Sequence, residues 1–323
     1  MTANDMQPDL TVIVPVFNEE QALPELRRRL LQVLDREEYS AEVIFVNDGS
    51  SDASATLLAD FAGQDTRVKV VDLSRNFGHQ SAMYAGLTKA SGQAVILMDG
   101  DLQDPPEVIP ELMKRWREGH EVVHAVRTKR KEGISRRAVY AAYYRILGWM
   151  AYIPVTLDSG DFSLMDRRVA DLLKGMPECN KYLRGLRSWV GFRQTTVVYE
   201  REARYAGSSK YTWLSLVRLG LDGMISYSYL PLRLCYLLGF VVAGGSFLLA
   251  LVYFVSKVFA HGVAPRGFAT LAILILFLGG VQLLALGLLG EYIGRIYDEV
   301  KRRPAFIIRR TVGFGGDDEK EKP

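Results

Sequence analysis

Cysteine is scarce: the 323 residues hold two, Cys179 and Cys235. Two cysteines are no disulfide framework, and they fit a reducing compartment. Charge of one sign is also lacking, since the formal net charge is +3, too small to argue for a nucleic-acid partner. No signal peptide is expected, because the first apolar stretch, Leu10–Val16, is short and runs into polar residues. No G-x-G-x-x-G follows that stretch, which counts against a dinucleotide oxidoreductase. No G-x-x-x-x-G-K-[ST] occurs either, which excludes a P-loop NTPase. No internal repeat is visible. The last absence is local: between Leu234 and Gly290 there is no acidic side chain, and the basic ones are Lys257 and Arg266.

That depleted region holds two uncharged stretches, Leu234–Val255 of 22 residues and Gly267–Gly290 of 24. At about 1.5 Å per residue either can cross a hydrocarbon core roughly 30 Å thick. Buried core helices seldom run so long without a charge. The short connection makes them a hairpin with both ends on one side. Arg218, Arg233, Arg295, Lys301, Arg302, Arg303, Arg309 and Arg310 flank it, against Lys257 and Arg266 in the turn. The positive-inside rule then places both termini and the soluble part in the cytoplasm, anchored in the inner membrane. Tyr211–Tyr229 mixes apolar residues with Lys210 and Arg218, and reads as an amphipathic segment on the membrane surface or packed on the soluble domain. The expected division is a catalytic domain over 1–207 and a juxtamembrane segment over 208–232. A transmembrane hairpin follows over 233–291, then a basic tail over 292–323 with a disordered end.

The soluble half alternates. Leu10–Val16, Glu42–Val46, Val68–Leu73, Ala94–Met98 and Glu121–Val126 are short β-branched runs. Between them Glu19–Leu34, Ala53–Ala62, Gln80–Ala90 and Glu107–Glu118 carry helical spacing. Such alternation predicts an α/β domain, a mostly parallel sheet with helices on both faces. Ligands of such sheets sit at the carboxyl ends of the strands. Asn18-Glu19, Asn47-Asp48-Gly49-Ser50 and Asp99-Gly100-Asp101 fall there. Asp99, Asp101 and Gln103 stand at alternate positions and, in an extended chain, would project to one side. Hard oxygen ligands of this kind suit Mg²⁺ or Mn²⁺, which bind through one or two carboxylates plus substrate phosphates. A lone D-x-D is ordinarily a solvated turn; its place at the end of a buried strand makes it a site.

Six words stand in order over residues 10–211: Val14-Pro15-Val16-Phe17-Asn18-Glu19, Val46-Asn47-Asp48-Gly49-Ser50-Ser51-Asp52, Ser74-Arg75-Asn76-Phe77-Gly78-His79, Asp99-Gly100-Asp101-Leu102-Gln103-Asp104-Pro105-Pro106, Ser159-Gly160-Asp161-Phe162 and Arg204-Tyr205-Ala206-Gly207-Ser208-Ser209-Lys210-Tyr211. They resemble the inverting family-two glycosyltransferases of GT-A fold, in the polyprenyl-phosphate branch that includes dolichyl-phosphate mannose synthase. The hairpin ending in Leu289-Gly290-Glu291-Tyr292-Ile293-Gly294-Arg295 is similar to the bacterial undecaprenyl-phosphate glucosyltransferases with two spans. The resemblance implies a GT-A catalytic domain plus a C-terminal two-helix transmembrane hairpin. It implies that Pro15, Phe17, Glu19 and Asp48 hold the nucleoside, and that Asp99, Asp101 and Gln103 bind Mg²⁺ or Mn²⁺ and the donor diphosphate. Arg127, Arg204, Ser209 and Lys210 would bind phosphate and acceptor. Asp161 resembles the proposed catalytic carboxylate, with Asp101 beside it. Two positions depart from the pattern: Phe17 stands where tyrosine is common, and His79 where lysine often is. The implied donor is UDP-glucose and the acceptor a polyprenyl phosphate, with mannose from a guanosine carrier and aminoarabinose left open. A homo-oligomer is implied as well. A sugar nucleotidyltransferase, a processive polysaccharide synthase and a non-catalytic membrane module are the competing readings.

Overall fold

A computed structural model describes residues 7–127, 159–178, 181–200, 230–259 and 267–314. They fall into two compact units, the first built on a sheet and the second helical; residues 303–314 belong to the first.

The first unit begins with β1 (Leu10–Val16), α1 (Leu23–Arg36), β2 (Ala41–Asn47), α2 (Ser54–Gln64), β3 (Val68–Leu73), α3 (His79–Lys89) and β4 (Ala94–Leu97). A 3₁₀ turn at Pro106–Val108 leads into α4 (Ile109–Arg117), then β5 (Val122–Arg127). Next come β6 (Ser159–Asp166), α5 (Arg167–Gly175), α6 (Leu183–Trp189) and β7 (Gln194–Tyr199), and after the helical unit β8 (Ile308–Val312). The sheet runs β7-β5-β6-β4-β1-β2-β3-β8. Pairs β1–β2, β1–β4, β2–β3 and β5–β7 are parallel, whereas β6 and β8 run antiparallel to their neighbours.

The central strands β1 and β4 read as nearly unbroken apolar runs because both sheet faces are covered. Every residue of β1 and β2 is buried. Side chains alternate along β1: Val12 and Val14 join α1, α2 and α4 in one apolar layer, through Leu26, Leu30, Leu58 and Leu112. Ile13 points the other way and packs with Met83 of α3, Val169 of α5 and Leu183 of α6. In α1, Leu23, Leu26, Leu30, Val33 and Leu34 are buried, a 3.6-residue stripe facing the sheet.

The five expected strands and four expected helices are present, with ends shifted by a few residues. Three strands were not foreseen. β8 matters most, because it corrects the expected tail: Ile308–Val312 joins the sheet edge against β3. The juxtamembrane segment lies outside the described residues, apart from the start of the next helix.

Among the described residues the second unit consists of α7 (Leu230–Phe259) and α8 (Phe268–Lys301), which run on past the C-terminal ends of the two uncharged stretches. Their apolar side chains are exposed, among them Tyr236, Phe240, Phe247, Leu283 and Leu284. Among the described residues, Phe277–Lys301 is long and apolar enough to cross a membrane, with mean hydropathy 1.4. This apolar surface is the membrane-associating part of the chain.

Candidate active site

Two βα loops form one side of the carboxyl edge. Asn18, two residues past the end of β1, adopts the left-handed region (φ 56°), which asparagine tolerates better than most residues. Its side-chain oxygen accepts from the Ser51 amide at 2.8 Å, and its own amide donates to Ser50 Oγ at 3.1 Å. The Glu19 amide donates to Ser54 Oγ, and the Glu20 amide to Asp52. Phe17 projects from this edge 45% exposed, an unusual place for a large apolar ring in so well covered a sheet. Pro15 lies inside β1.

Asp48 is buried, and its carboxylate accepts from the amides of Phe77 at 2.7 Å and Gly78 at 2.9 Å. Burial pushes its pKa up against the pull of those two amides. Its structural part is thus to pin the loop after β3. Gly49 makes the contact possible: it adopts φ +70°, and a Cβ there would lie 2.7 Å from the backbone of Arg75 and Asn76. Only glycine meets both demands.

The chain does not stay extended after β4, so the expected one-sided display of Asp99, Asp101 and Gln103 is corrected. Leu102 adopts φ 59°, and the Gln103 amide donates to Asp101 Oδ1 at 3.1 Å. That Asx turn folds 101–103 back on itself. Asp101 is nearly buried. Gly100 fits under Pro15, whose carbonyl oxygen would stand 3.0 Å from a Cβ.

What meets Asp99 instead is His79, the first residue of α3, and Asp161 on β6. His79 Nε2 lies 3.2 Å from Asp99 Oδ1 and 3.4 Å from Asp161 Oδ2. One ligand atom from each of the three lies within 4.8 Å of the others, a spacing that could hold a metal ion. Burial pushes the imidazole pKa down, but the two carboxylates outweigh it and lift it to about 10. Asp161 Oδ1 accepts from Gln80 Nε2 at 3.2 Å, and Arg184 Nη2 stands 3.1 Å from Oδ2. Burial raises the Asp161 pKa, yet His79, Arg184 and Arg187 together hold it well below the usual carboxylate range.

Arg187 lies beneath. It is fully buried and donates to the carbonyls of Gly160 and Asp161 and to Ser163 Oγ. Its pKa is pushed down to about 10 by burial. Neither Arg184 nor Arg187 was singled out from the sequence. The available signal was two arginines three apart in the short segment Leu183–Trp189, each following a leucine or a Gly-Leu step, a spacing that puts both on one helix face.

Arg127 closes the far side. Its Nε donates to the Tyr199 hydroxyl at 3.2 Å, its Nη2 is 3.7 Å from Asp104 Oδ1, and it packs on the bare backbone of Gly160. Tyr199 donates in turn to Asp104, which is wholly buried. Arg204, Ser209 and Lys210 lie outside the described residues.

Carboxylates and cations therefore converge at the ligand-binding edge of a doubly wound sheet, in a chain that also carries a membrane hairpin. That is the layout of a membrane-attached enzyme that handles a phosphate-bearing substrate. Residues 11–173 match the model of glycosyl transferase family 2, and residues 230–296 that of the GtrB C-terminal hairpin. The chain is 45% identical to the uncharacterized glycosyltransferase YkcC of Bacillus subtilis (strain 168), over 94% of both proteins. It is 41% identical to the SfII prophage-derived bactoprenol glucosyl transferase of Shigella flexneri, over 94% of this chain and 98% of that one. The uncharacterized glycosyltransferase sll0501 of Synechocystis sp. (strain ATCC 27184 / PCC 6803 / Kazusa) is 43% identical over 96% and 97%. The chain belongs to glycosyl transferase family 2. It is a glycosyltransferase with a GtrB-type hairpin.

Proposed function

We propose that this enzyme transfers glucose from UDP-glucose to a polyprenyl phosphate, with inversion. The observation that carries the reading is the Asp161 carboxylate, held between Arg184 and His79 beside Asp99. Its specificity is supported by relatives named bactoprenol glucosyl transferase at 39–41% identity over nearly the whole chain.

In the reaction an acceptor phosphate oxygen bonds to the anomeric carbon while the bond from that carbon to the diphosphate breaks. The nucleotide leaves with the bonding pair, and a single displacement turns an α-linked donor into a β-linked product. The exposed Phe17 ring offers the nucleobase an apolar face, with Pro15, Glu19 and Asp48 forming the rest of the nucleoside side. Asp99, Asp101 and Gln103 are assigned to the donor diphosphate and its Mg²⁺ or Mn²⁺. Of the nearby groups, the carboxylate oxygens of Asp99 and Asp161 are donors of the kind such an ion takes, whereas the His79 ring, charged between them, would have to give up a proton before it could join. When bound, the ion would supply positive charge against the departing diphosphate. Arg127, Arg204, Ser209 and Lys210 are assigned to phosphate and acceptor, where arginine forks suit phosphate oxygens.

A phosphomonoester has a second pKa of about 6, so the acceptor is largely a dianion at neutral pH. It needs little deprotonation. Asp161 already has a donor on each oxygen, and so serves to orient Arg184, His79 and the acceptor rather than to take a proton. The hairpin is assigned two spans with both termini cytoplasmic, from the basic flanks of α7 and α8, and the enzyme is read as a homo-oligomer. A periplasm-dependent reporter should work when fused at His261 and fail at the C-terminus.

The decisive experiment presents purified enzyme with undecaprenyl phosphate and a panel of labelled nucleotide-sugars. Lipid-linked glucose from UDP-glucose is expected. Label appearing only from a guanosine-linked mannose would overturn the sugar, and a polymer or a free nucleotide-sugar product would overturn the reaction.

A further inference from the structure

Neither family match reaches residues 297–314, yet β8 lies in that stretch and its segment holds both β3 and the loop that follows it. Asp72 of β3 and Arg310 of β8 are register partners across the antiparallel pair. The Arg310 guanidinium donates through Nε to Asp72 Oδ2, and Asp72 Oδ1 accepts from Asn47 Nδ2 at 2.9 Å. Asn47 and Asp72 are each 5% exposed. The Asn47 amide is therefore oriented: its nitrogen faces Asp72 and its oxygen accepts from the Ser50 amide at 3.0 Å. Ser50 Oγ in turn receives the Asn18 amide. The same C-terminal segment grips the neighbouring loop. The Ser74 amide donates to the Ile307 carbonyl at 2.9 Å, and Arg309 Nη2 donates to the Ser74 carbonyl at 2.7 Å.

We propose that Arg310 is a positioning residue of the donor site, acting through Asp72 and Asn47 to hold the Asp48-Gly49-Ser50 turn in its nucleotide-binding shape. This rests on the reading of that turn as the nucleoside side. Without Arg310, the Asp72 carboxylate stands in a nearly buried place with one partner fewer. An uncompensated buried polar group is costly. Asn47 is then free to reorient, and the Ser50 amide loses its fixed acceptor. The effect falls on the ground-state grip on the nucleotide rather than on the reacting atoms, which lie on the other loops.

The test uses full-length enzyme and measures UDP affinity by titration, donor and acceptor KM, kcat, and thermal unfolding. Arg310→Met should raise the UDP Kd and the donor KM about ten-fold, leaving kcat within about two-fold and acceptor KM unchanged. Arg310→Lys should recover most of the affinity, since a lysine ammonium also neutralises Asp72. Arg310→Met combined with Asp72→Leu removes the buried charge along with its partner, so it should fold even where the single variant does not. It must still bind UDP weakly, because Asn47 has lost its acceptor. Wild-type UDP affinity in the double variant, or a fall in kcat with donor KM unchanged, would overturn the proposal. A wild-type enzyme that binds neither uridine nor guanosine diphosphate would overturn the nucleotide assignment itself, and with it the relay.

Discussion

Arg184 and Asp161 form an ion pair at 3.1 Å in which the carboxylate side chain is 10% exposed and the guanidinium 32%. A pair so placed at the ligand edge is partly open to substrate, and its cation can be shared. A phosphate oxygen arriving there would meet a guanidinium already aimed and partly desolvated.

Arg184→Ala should therefore lower kcat/KM by roughly 10²-fold or more, the usual scale for removing one electrostatic contact to a developing charge. Arg184→Lys should recover only part, because lysine cannot span two acceptors in the same plane. Steady-state kinetics with both substrates varied would check this. A loss below about three-fold in folded Arg184→Ala would remove the residue from the reaction.

Asp161→Asn keeps the shape of the side chain but replaces one acceptor oxygen with an amide facing Arg184, His79 or Gln80. Turnover should drop by about 10²–10³-fold. With the role confined to orientation, the ratio of wild-type to variant turnover should stay constant between about pH 6 and 8, across the range in which the acceptor becomes a dianion. A ratio that shrinks steadily as pH rises would instead assign Asp161 a proton.

Gly49→Ala would place a Cβ 2.7 Å from the Arg75 and Asn76 backbone at a φ of +70°. Both the crowding and the left-handed backbone penalise it. Donor KM should rise sharply and the melting temperature fall, whereas Gly63→Ala, whose added Cβ meets nothing within 4 Å, should be silent. Equal behaviour of the two variants would refute the interlocking of the loops.

Stability should carry a pH signature from His124, which is 1% exposed on β5 and pairs with Gln194 at 2.9 Å. Burial, reinforced by the nearby Arg187 charge, pushes its pKa down to about 4. Its unfolded value is about 6.5, so between those pH values the unfolded chain binds the extra proton. Stability contributed by the neutral ring is full above about pH 6.5 and is lost as pH falls toward 4, by roughly 3 kcal/mol in all. Denaturation of wild type and His124→Gln in detergent should show the variant losing less stability over that window. Parallel curves would contradict the assignment.

Strands β1 and β4 were legible because burial on both faces makes them nearly continuous apolar runs, β2, β3 and β5 because valine and isoleucine recur in them, and the helices between them through their stripes. β8, with Arg309 and Arg310 at its centre, looks like a charged tail until β3 supplies a partner for it. Asp48, Asp99 and Asp161 could be named from their motifs, and His79 was visible as an odd residue where lysine is common. Its placement between two carboxylates was not visible, since α3, β4 and β6 are brought together only by the sheet order. The same holds for Arg184. The turn at Leu102 escaped because a positive φ at leucine has no signature in composition.

The place of β8 also sets an order of events during synthesis. Asp72 and Arg310 are 238 residues apart, so β3 leaves the ribosome long before its outer neighbour exists. At about 5–20 residues per second the wait is on the order of tens of seconds, and the membrane-associating helices are made within it. Until then β3 is an open edge of the kind that pairs with other chains. Asp72 sits in that edge with no cation opposite, and a lone carboxylate there disfavours adventitious strand pairing. The charge that Arg310 finally neutralises thus guards the nascent sheet until the last strand arrives.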